Sequence, residues 1–379
     1  MKKRKNIAFI SIGGAGNSIL HEIIKRDSII ENPNEQAMYV NFSSSDVGDN
    51  FVGNKLILDG DGTGRSQQRG LELVKEKKDL LQKNFALFYQ KIKKFSGDDD
   101  FIIVIISSLG GGTGSSITPF AIDFMNEVIE RDGGRAQLSF AGVLSSPKEG
   151  VATLPNCIKS FKNIYNAYVL TDKLKSCFLF DNRKLEKEFQ FSTYDFQAMN
   201  SIIVDYLEEI YDEESYRVPA AGFQTLDVNE VRRVMFWGKG IADYSHHEFS
   251  FIKKKDEDDH EVKAHSNIFG GSFKQNTAKA IACFIKVKKK DFDITPEESS
   301  EMNRTLQMFK KKYSSAFFVF GYSFGNKNLK PDYEFRVVVN GFDFPHSFEA
   351  DVNKASKDVA KLKKENHKFE IKQDADLDF

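Results

Sequence analysis

Cysteine, tryptophan and proline are scarce in this chain of 379 residues, at three, one and eight. Cys157, Cys177 and Cys283 are too few and too scattered for a disulfide framework or a zinc site, so they read as small buried hydrophobes of a reducing compartment. Charge of one sign is not in excess: 54 Lys and Arg face 55 Asp and Glu, a net charge of -1. Composition therefore makes no case for a nucleic-acid or membrane binder. Long apolar runs are missing as well; the longest, Phe101 to Ile106, falls far short of the ~20 residues that cross a bilayer. The start MKKRKNIAFISIGG runs into turn glycines without a signal-peptide cleavage site, so the expected location is cytoplasmic, with no direct membrane contact. What the chain does have is 40% hydrophobic residues, 35 Phe among them, enough to bury sizeable cores. At roughly 100 to 200 residues per domain the length suggests about two domains.

The first half alternates apolar runs with helical patterns. Ile7 to Ile12, Met38 to Phe42, Phe101 to Leu109, Leu138 to Leu144 and Phe178 to Phe180 read as strands. A near-continuous run such as FIIVII suits a strand buried on both faces of a parallel sheet. Between them, Ser18 to Lys25, Gln67 to Lys94, Pro119 to Arg131 and Thr153 to Asn166 repeat apolar residues every three or four positions. This is an α/β, doubly wound pattern. From Thr193 to Tyr211 the residues Phe196, Met199, Ile202, Ile203, Leu207 and Ile210 fall on one helical face. The helix predicted there separates a smaller α+β unit, whose strands are Ile281 to Val287, Ser315 to Phe324 and Tyr333 to Phe342. The expected organisation is residues 1–192, a linking helix at 193–215, a second domain at 216–346, and a helix with a polar tail at 347–379. Lys253 to Lys263, KKKDEDDHEVK, is too charged to pack and reads as an exposed loop.

Two glycine clusters sit between a predicted strand and a predicted helix: Gly13, Gly14, Ala15, Gly16, Asn17, and then Gly110, Gly111, Gly112, Thr113, Gly114, Ser115. Glycine at such a junction lets the backbone approach a phosphate, with free amides and the positive helix end directed at it. A dinucleotide site would need G-x-G-x-x-G and an acid after the next strand, where MYVNFSSS offers Asn41 and serines. No G-x-x-x-x-G-K-[ST] occurs either, so phosphate charge must be met by amides, hydroxyls and a metal ion.

GGGTGS, preceded by FIIVIISSL and followed by SITPF, resembles the signature of the tubulin/FtsZ superfamily. The resemblance extends along most of the chain. GGAGN at 13 to 17 is similar to the family's first phosphate loop, NFSSSD at 41 to 46 to the loop after its second strand, and GTGRSQQRG at 62 to 70, with Gly64 and Arg65, to the loop facing the terminal phosphate. SPKEG at 146 to 150 resembles the sugar loop, which implies that Glu149 contacts ribose; Asn182 and Asn200 fall where the family reads guanine. An amide both donates to and accepts from a base edge. The resemblance further implies a GTPase domain joined by a long central helix to the α+β domain, GTP or GDP with Mg²⁺ as cofactors, and no direct side-chain ligand to the metal.

TLDVNEVRRVM, Thr225 to Met235, resembles the family's loop and helix that catalyse hydrolysis in trans, with acids at Asp227 and Glu230. Acids three apart at a helix start lie on one side, where they orient a water. Asp227 is also a natural N-cap of the helix, with Glu230 at N3; the two roles are compatible. The family mechanism implies a head-to-tail homopolymer whose active site lies between protomers.

The chain departs from FtsZ in several places. Thr153 stands where FtsZ carries arginine after the sugar-loop glutamate, Ser201 where an acid is usual beside the guanine-contacting asparagine, and Arg65 and Ser66 replace alanine and asparagine. Arg65 is either a phosphate ligand or an ordinary solvated arginine. No short apolar anchor peptide ends the chain. The sequence looks most like the plasmid and phage TubZ group, implying plasmid or phage DNA positioning through a DNA-binding adaptor. An FtsZ-like division filament, a non-polymerising nucleotide-binding regulator and a purely structural filament are the rival readings. His246 and His247 read as exposed polar residues, Trp237 as packing. The stripe Phe348, Val352, Ala355, Val359, Leu362 docks on its own domain, the next subunit or an adaptor.

Overall fold

The structure, a computed structural model, describes residues 6–146, 149, 153–189, 195–211, 228–251, 261–266, 275–345 and positions 350, 357 and 361. Six strands form a wholly parallel array: β1 (Ile7–Ile12), β2 (Ala37–Ser43), β3 (Asn54–Gly60), β4 (Phe101–Ser108), β5 (Ala136–Leu144) and β6 (Ser176–Asp181), in the order β3-β2-β1-β4-β5-β6. β1 and β4 are buried almost end to end, as central strands covered on both faces must be. The crossover helices include α1 (Gly13–Arg26), α2 (Pro33–Gln36), α3 (Gln67–Glu76), α4 (Lys78–Ser96), α5 (Gly112–Arg131), α6 (Thr153–Ile164) and α7 (Asn182–Glu188).

A second array follows α8 (Phe196–Tyr211) and α9 (Val228–Met235): β7 (Ile241–Phe249), β8 (Glu261–Ser266), β9 (Ala280–Val287), then α10 (Pro296–Lys312), β10 (Phe317–Ser323) and β11 (Tyr333–Phe342). β11 lies between β7 and β9, antiparallel to both, and β10 runs parallel to β9 at the edge. One parallel pair, Phe178 with Ala242, joins the two arrays across β6 and β7. β8 pairs with the later half of β7.

The periodicity that predicts the central helix is realised from Phe196 on. Met199, Ile203, Leu207 and Ile210 are buried, and Tyr211 reaches β5, where its hydroxyl lies 2.5 Å from Ser139 Oγ. Phe196, expected on that buried face, is 38% exposed at the helix start. On the other flank the end of α1 clasps α8. Arg26 donates through Nη1 to Asp205 and Glu208, at 2.5 and 3.2 Å, and through Nη2 to the Ser201 carbonyl at 3.1 Å. Tyr244 on β7 donates to Glu209 at 2.6 Å, so α8 is tied to both arrays.

Several expectations are corrected. β3 and β7 lie in stretches with no predicted strand, and the exposed loop expected through Lys263 gives way to β8 from Glu261 onward. His246 is not freely exposed: its Nε2 lies 3.0 Å from Glu334 Oε2, with its side chain 15% exposed. Trp237 packs, as expected, on Phe317 with ring centroids 5.7 Å apart, yet remains 37% exposed. Of the terminal helix expected over 351–365, only Lys357 and Lys361 are described, both helical; the apolar stripe lies outside the described residues. No described helix is long and apolar enough to cross a membrane.

Candidate functional site

The two glycine clusters meet at the C-terminal ends of β1 and β4, where an open parallel sheet forms its ligand crevice. Gly13 adopts φ +80°, a conformation that strains any residue with a side chain, and a Cβ there lies 3.4 Å from the Gly114 amide. The loops are therefore in contact. Gly16 and Gly114 serve a different end: a Cβ would fall 2.6 Å from the Ile106 carbonyl and 2.1 Å from the Ser108 carbonyl, so only glycine lets α1 and α5 approach β4 this closely. Both helices begin without a side-chain cap, at Ile12 and Gly111. Their first N–H groups and positive dipole ends are left for a bound anion.

They open into a cavity of about 330 Å³. Its wall contains Gly13, Gly14, Ala15, Gly64, Arg65, Gly111, Gly112, Thr113, Gly114 and Glu149 of the residues expected from sequence. Gly16, Asn17, Gly110 and Ser115 lie behind it. Asn17 is fully buried; its Oδ1 accepts from Ser11 Oγ at 2.8 Å and its Nδ2 has no partner among the described residues. Ser115 is buried with its hydroxyl turned to the Gly112 carbonyl, and a Cβ on Gly110 would strike Ser145.

Glu149 links the cavity to Asn182. Its Oε1 accepts from the Ser146 N–H at 2.8 Å and from Asn182 Nδ2 at 2.9 Å, while its backbone carbonyl accepts from Arg65 Nη1. Asn182 Oδ1 is buried without a partner among the described residues. An orphaned acceptor here and an orphaned donor on Asn17 suit a ligand that brings both groups. Asn200 is half-buried on α8, outside the wall.

The sequence reading assigned no role to several wall residues. Asp46 and Asp61 are the chief ones, with Ser43, Thr63 and Thr153 beside them. Asn41 donates to Asp46 at 3.0 Å and accepts from Thr113 at 3.4 Å, joining the second strand's loop to the second glycine loop. The signal was present in NFSSSD and DGDGTG, where acids interrupt small polar residues just after strands. No group of three or more His, Cys, Asp or Glu able to hold a metal occurs among the described residues.

Of the acid pair of the second half, Glu230 is not brought to this cavity. Asp227 lies outside the described residues. Glu230 is exposed on the first turn of α9, and α9 sits at the opposite ends of the same strands. There Asn229, Arg232, Arg233, Phe236 and Trp237 form a second cavity, of about 580 Å³, with Asp100 to Ile102 at the start of β4, Gln137 on β5 and Lys175 before β6. The eight residues of β4, at ~3.3 Å each, put about 25 Å between the two cavities.

Residues 6–190 match the family model described as "Tubulin/FtsZ family, GTPase domain". No curated protein matches the sequence. Among solved structures, a GTPγS-form protofilament of Bacillus thuringiensis serovar israelensis TubZ is 15% identical, with a TM-score of 0.69 over 97% of this chain and 94% of that one. A GTPγS-bound protofilament of CetZ2 from Haloferax volcanii is 14% identical, TM-score 0.65, covering 94% and 99%. An FtsZ dimer of M. jannaschii is 17% identical, TM-score 0.58, covering 90% and 89%. Residues 6–190 are thus similar to the GTPase domain of the Tubulin/FtsZ family, and the chain has the Tubulin/FtsZ fold.

Proposed function

We propose that this protein binds GTP, assembles head to tail with itself and hydrolyses the nucleotide between neighbouring copies. The observation that carries the reading is the separation of the cavity from α9, the helix that carries Glu230. α9 borders the second cavity, about 25 Å along the strands from the first and beyond the reach of any side chain, so on this reading Glu230 serves another molecule's cavity. A second copy stacked along the strand direction brings its α9 end to the first copy's glycine loops, a heterologous contact that repeats without closing.

In that arrangement the free amides of α1 and α5, with Gly64, Arg65 and Thr113, receive the phosphates; Glu149 takes the ribose, and Asn182 and Asn200 the guanine. Asn17, assigned to phosphate from sequence, faces inward, and its orphaned amide suits the base better. Asp46, with the hydroxyls of Ser43 and Thr113 nearby, would fit Mg²⁺, a hard cation that takes oxygen ligands and keeps several waters. When bound, the ion neutralises phosphate charge. Asp227 and Glu230 of the neighbour orient the attacking water and accept its proton. The likeness to TubZ supports a role in moving or positioning plasmid or phage DNA through a separate DNA-binding adaptor.

The test is GTP turnover per subunit across protein concentration, with pelleting in parallel, for the native chain and Asp227→Ala. Specific activity should climb above the concentration at which polymer pellets, and the variant should pellet with GTP while hydrolysing it at least about a hundredfold more slowly. Flat turnover without pelleting would leave a nucleotide-binding regulator.

A further inference from the structure

The second cavity belongs to the end of the molecule that carries Glu230, and nothing in the reading above assigns its other residues. Glu230 and Arg233, three apart, share the exposed face of α9, and Trp237 continues it one turn later, while Val231, Val234 and Met235 face the core. The guanidinium of Arg233 lies 4.7 Å from the Phe317 ring centre and 6.0 Å from that of Trp237, whose ring stacks on Phe317. The aromatic pair holds the cation in place, and no carboxylate pairs with Arg233 among the described residues. Arg232 and Lys175 line the same cavity, Lys175 paired with Asp172 at 2.6 Å, and Asp100 is the one acid among its described lining residues. At the opposite end the cavity wall carries Asp46, Asp61 and Glu149, and among the described residues no cation but Arg65. The lining described at one end is mainly basic and aromatic, and at the other mainly acidic.

We propose that the Arg233–Trp237–Phe317 stack is the seat for a second copy of this chain, and that Arg233 receives the exposed Asp61 on the cavity rim of that copy. The inference rests on the head-to-tail reading, which brings these ends together, and adds to it the residues that set the register. Arg233 is a positioning residue. It lies one turn beyond Glu230 on the same face, so seating the cation on the rim fixes where the acid reaches over the neighbouring cavity. Unlike the acids, it touches no reacting atom.

The experiment compares wild type with Arg233→Glu and Arg233→Gln by GTP binding, pelleting and mixing. Arg233→Glu leaves the glycine-loop end untouched, so it should bind GTP as wild type does. Alone it should not pellet at wild-type critical concentration. Added in small proportion to wild type it should stop growth, because its intact end still joins a filament that its damaged end cannot extend. Arg233→Gln, which removes the charge but keeps a polar, planar end group, should raise the critical concentration by about tenfold and flatten its dependence on salt. Pelleting of Arg233→Glu at the wild-type threshold, or normal GTP binding with no effect on wild-type growth, overturns the proposal. If wild type itself never pellets, it is the head-to-tail reading that fails.

Discussion

Two residues show how local chemistry controls this molecule. Gly114 has no room for a methyl group, since Ser108 and Ser107 oxygens occupy its place. Gly114→Ala should destabilise the chain by about 1–3 kcal/mol through overpacking and displace the second glycine loop, which equilibrium unfolding and GTP titration will register together. Asp243 on β7 is buried with Oδ1 unpartnered among the described residues; burial pushes its carboxyl up to about 6, against the pull of Lys184 and Lys312. Because the folded pKa lies above the unfolded value of about 3.9, the folded state holds the proton more tightly. Its stabilising contribution is full below about pH 4 and is lost as pH rises through about 6. Asp243→Asn should remove that slope, shrinking by about 2 kcal/mol the stability difference between about pH 4.5 and about pH 7 in urea unfolding.

At the scale of elements, α8 depends on polar ties as much as on its apolar stripe. Arg26 reaches three successive turns of it, at Ser201, Asp205 and Glu208. Arg26→Met keeps the stem and removes the donors, so it should cost about 2–3 kcal/mol and raise hydrogen exchange along α8 before that of β4. Ser201, which stands where FtsZ has an acid, is occupied by this arginine through its hydroxyl as well as its carbonyl, at 2.5 Å. The strands legible in the sequence were those with unbroken apolar runs, such as FIIVII in β4, because burial on both faces leaves no polar position. β3 and β7 were not legible. NKLILDG is polar at both ends, and SHHEF places its histidines against Glu334, Phe309 and a neighbouring strand rather than in an apolar core. The glycine loops were readable because backbone geometry demands glycine there; Asp46 and Asp61 were not, because an acid after a strand is ordinary until folding gathers it to a wall.

For the whole molecule, the proposed head-to-tail assembly makes each chain half of two different sites. Two inactive variants should therefore complement each other. Glu230→Gln retains an intact cavity, and a chain with a spoiled glycine loop, such as Gly111→Asp, retains intact acids; mixed, they should recover part of the turnover that neither has alone. Absence of recovery while the two still associate would place the acids and the cavity in one chain. The seam between the arrays has a consequence of its own. With a single residue pair joining β6 to β7, the sheet is nearly discontinuous there, whereas α8 grips β5 through Tyr211, α1 through Arg26 and β7 through Glu209. Under tension across that seam the load passes to α8, shared by the Phe344 amide on the Tyr165 hydroxyl and the Phe344 ring on Phe161.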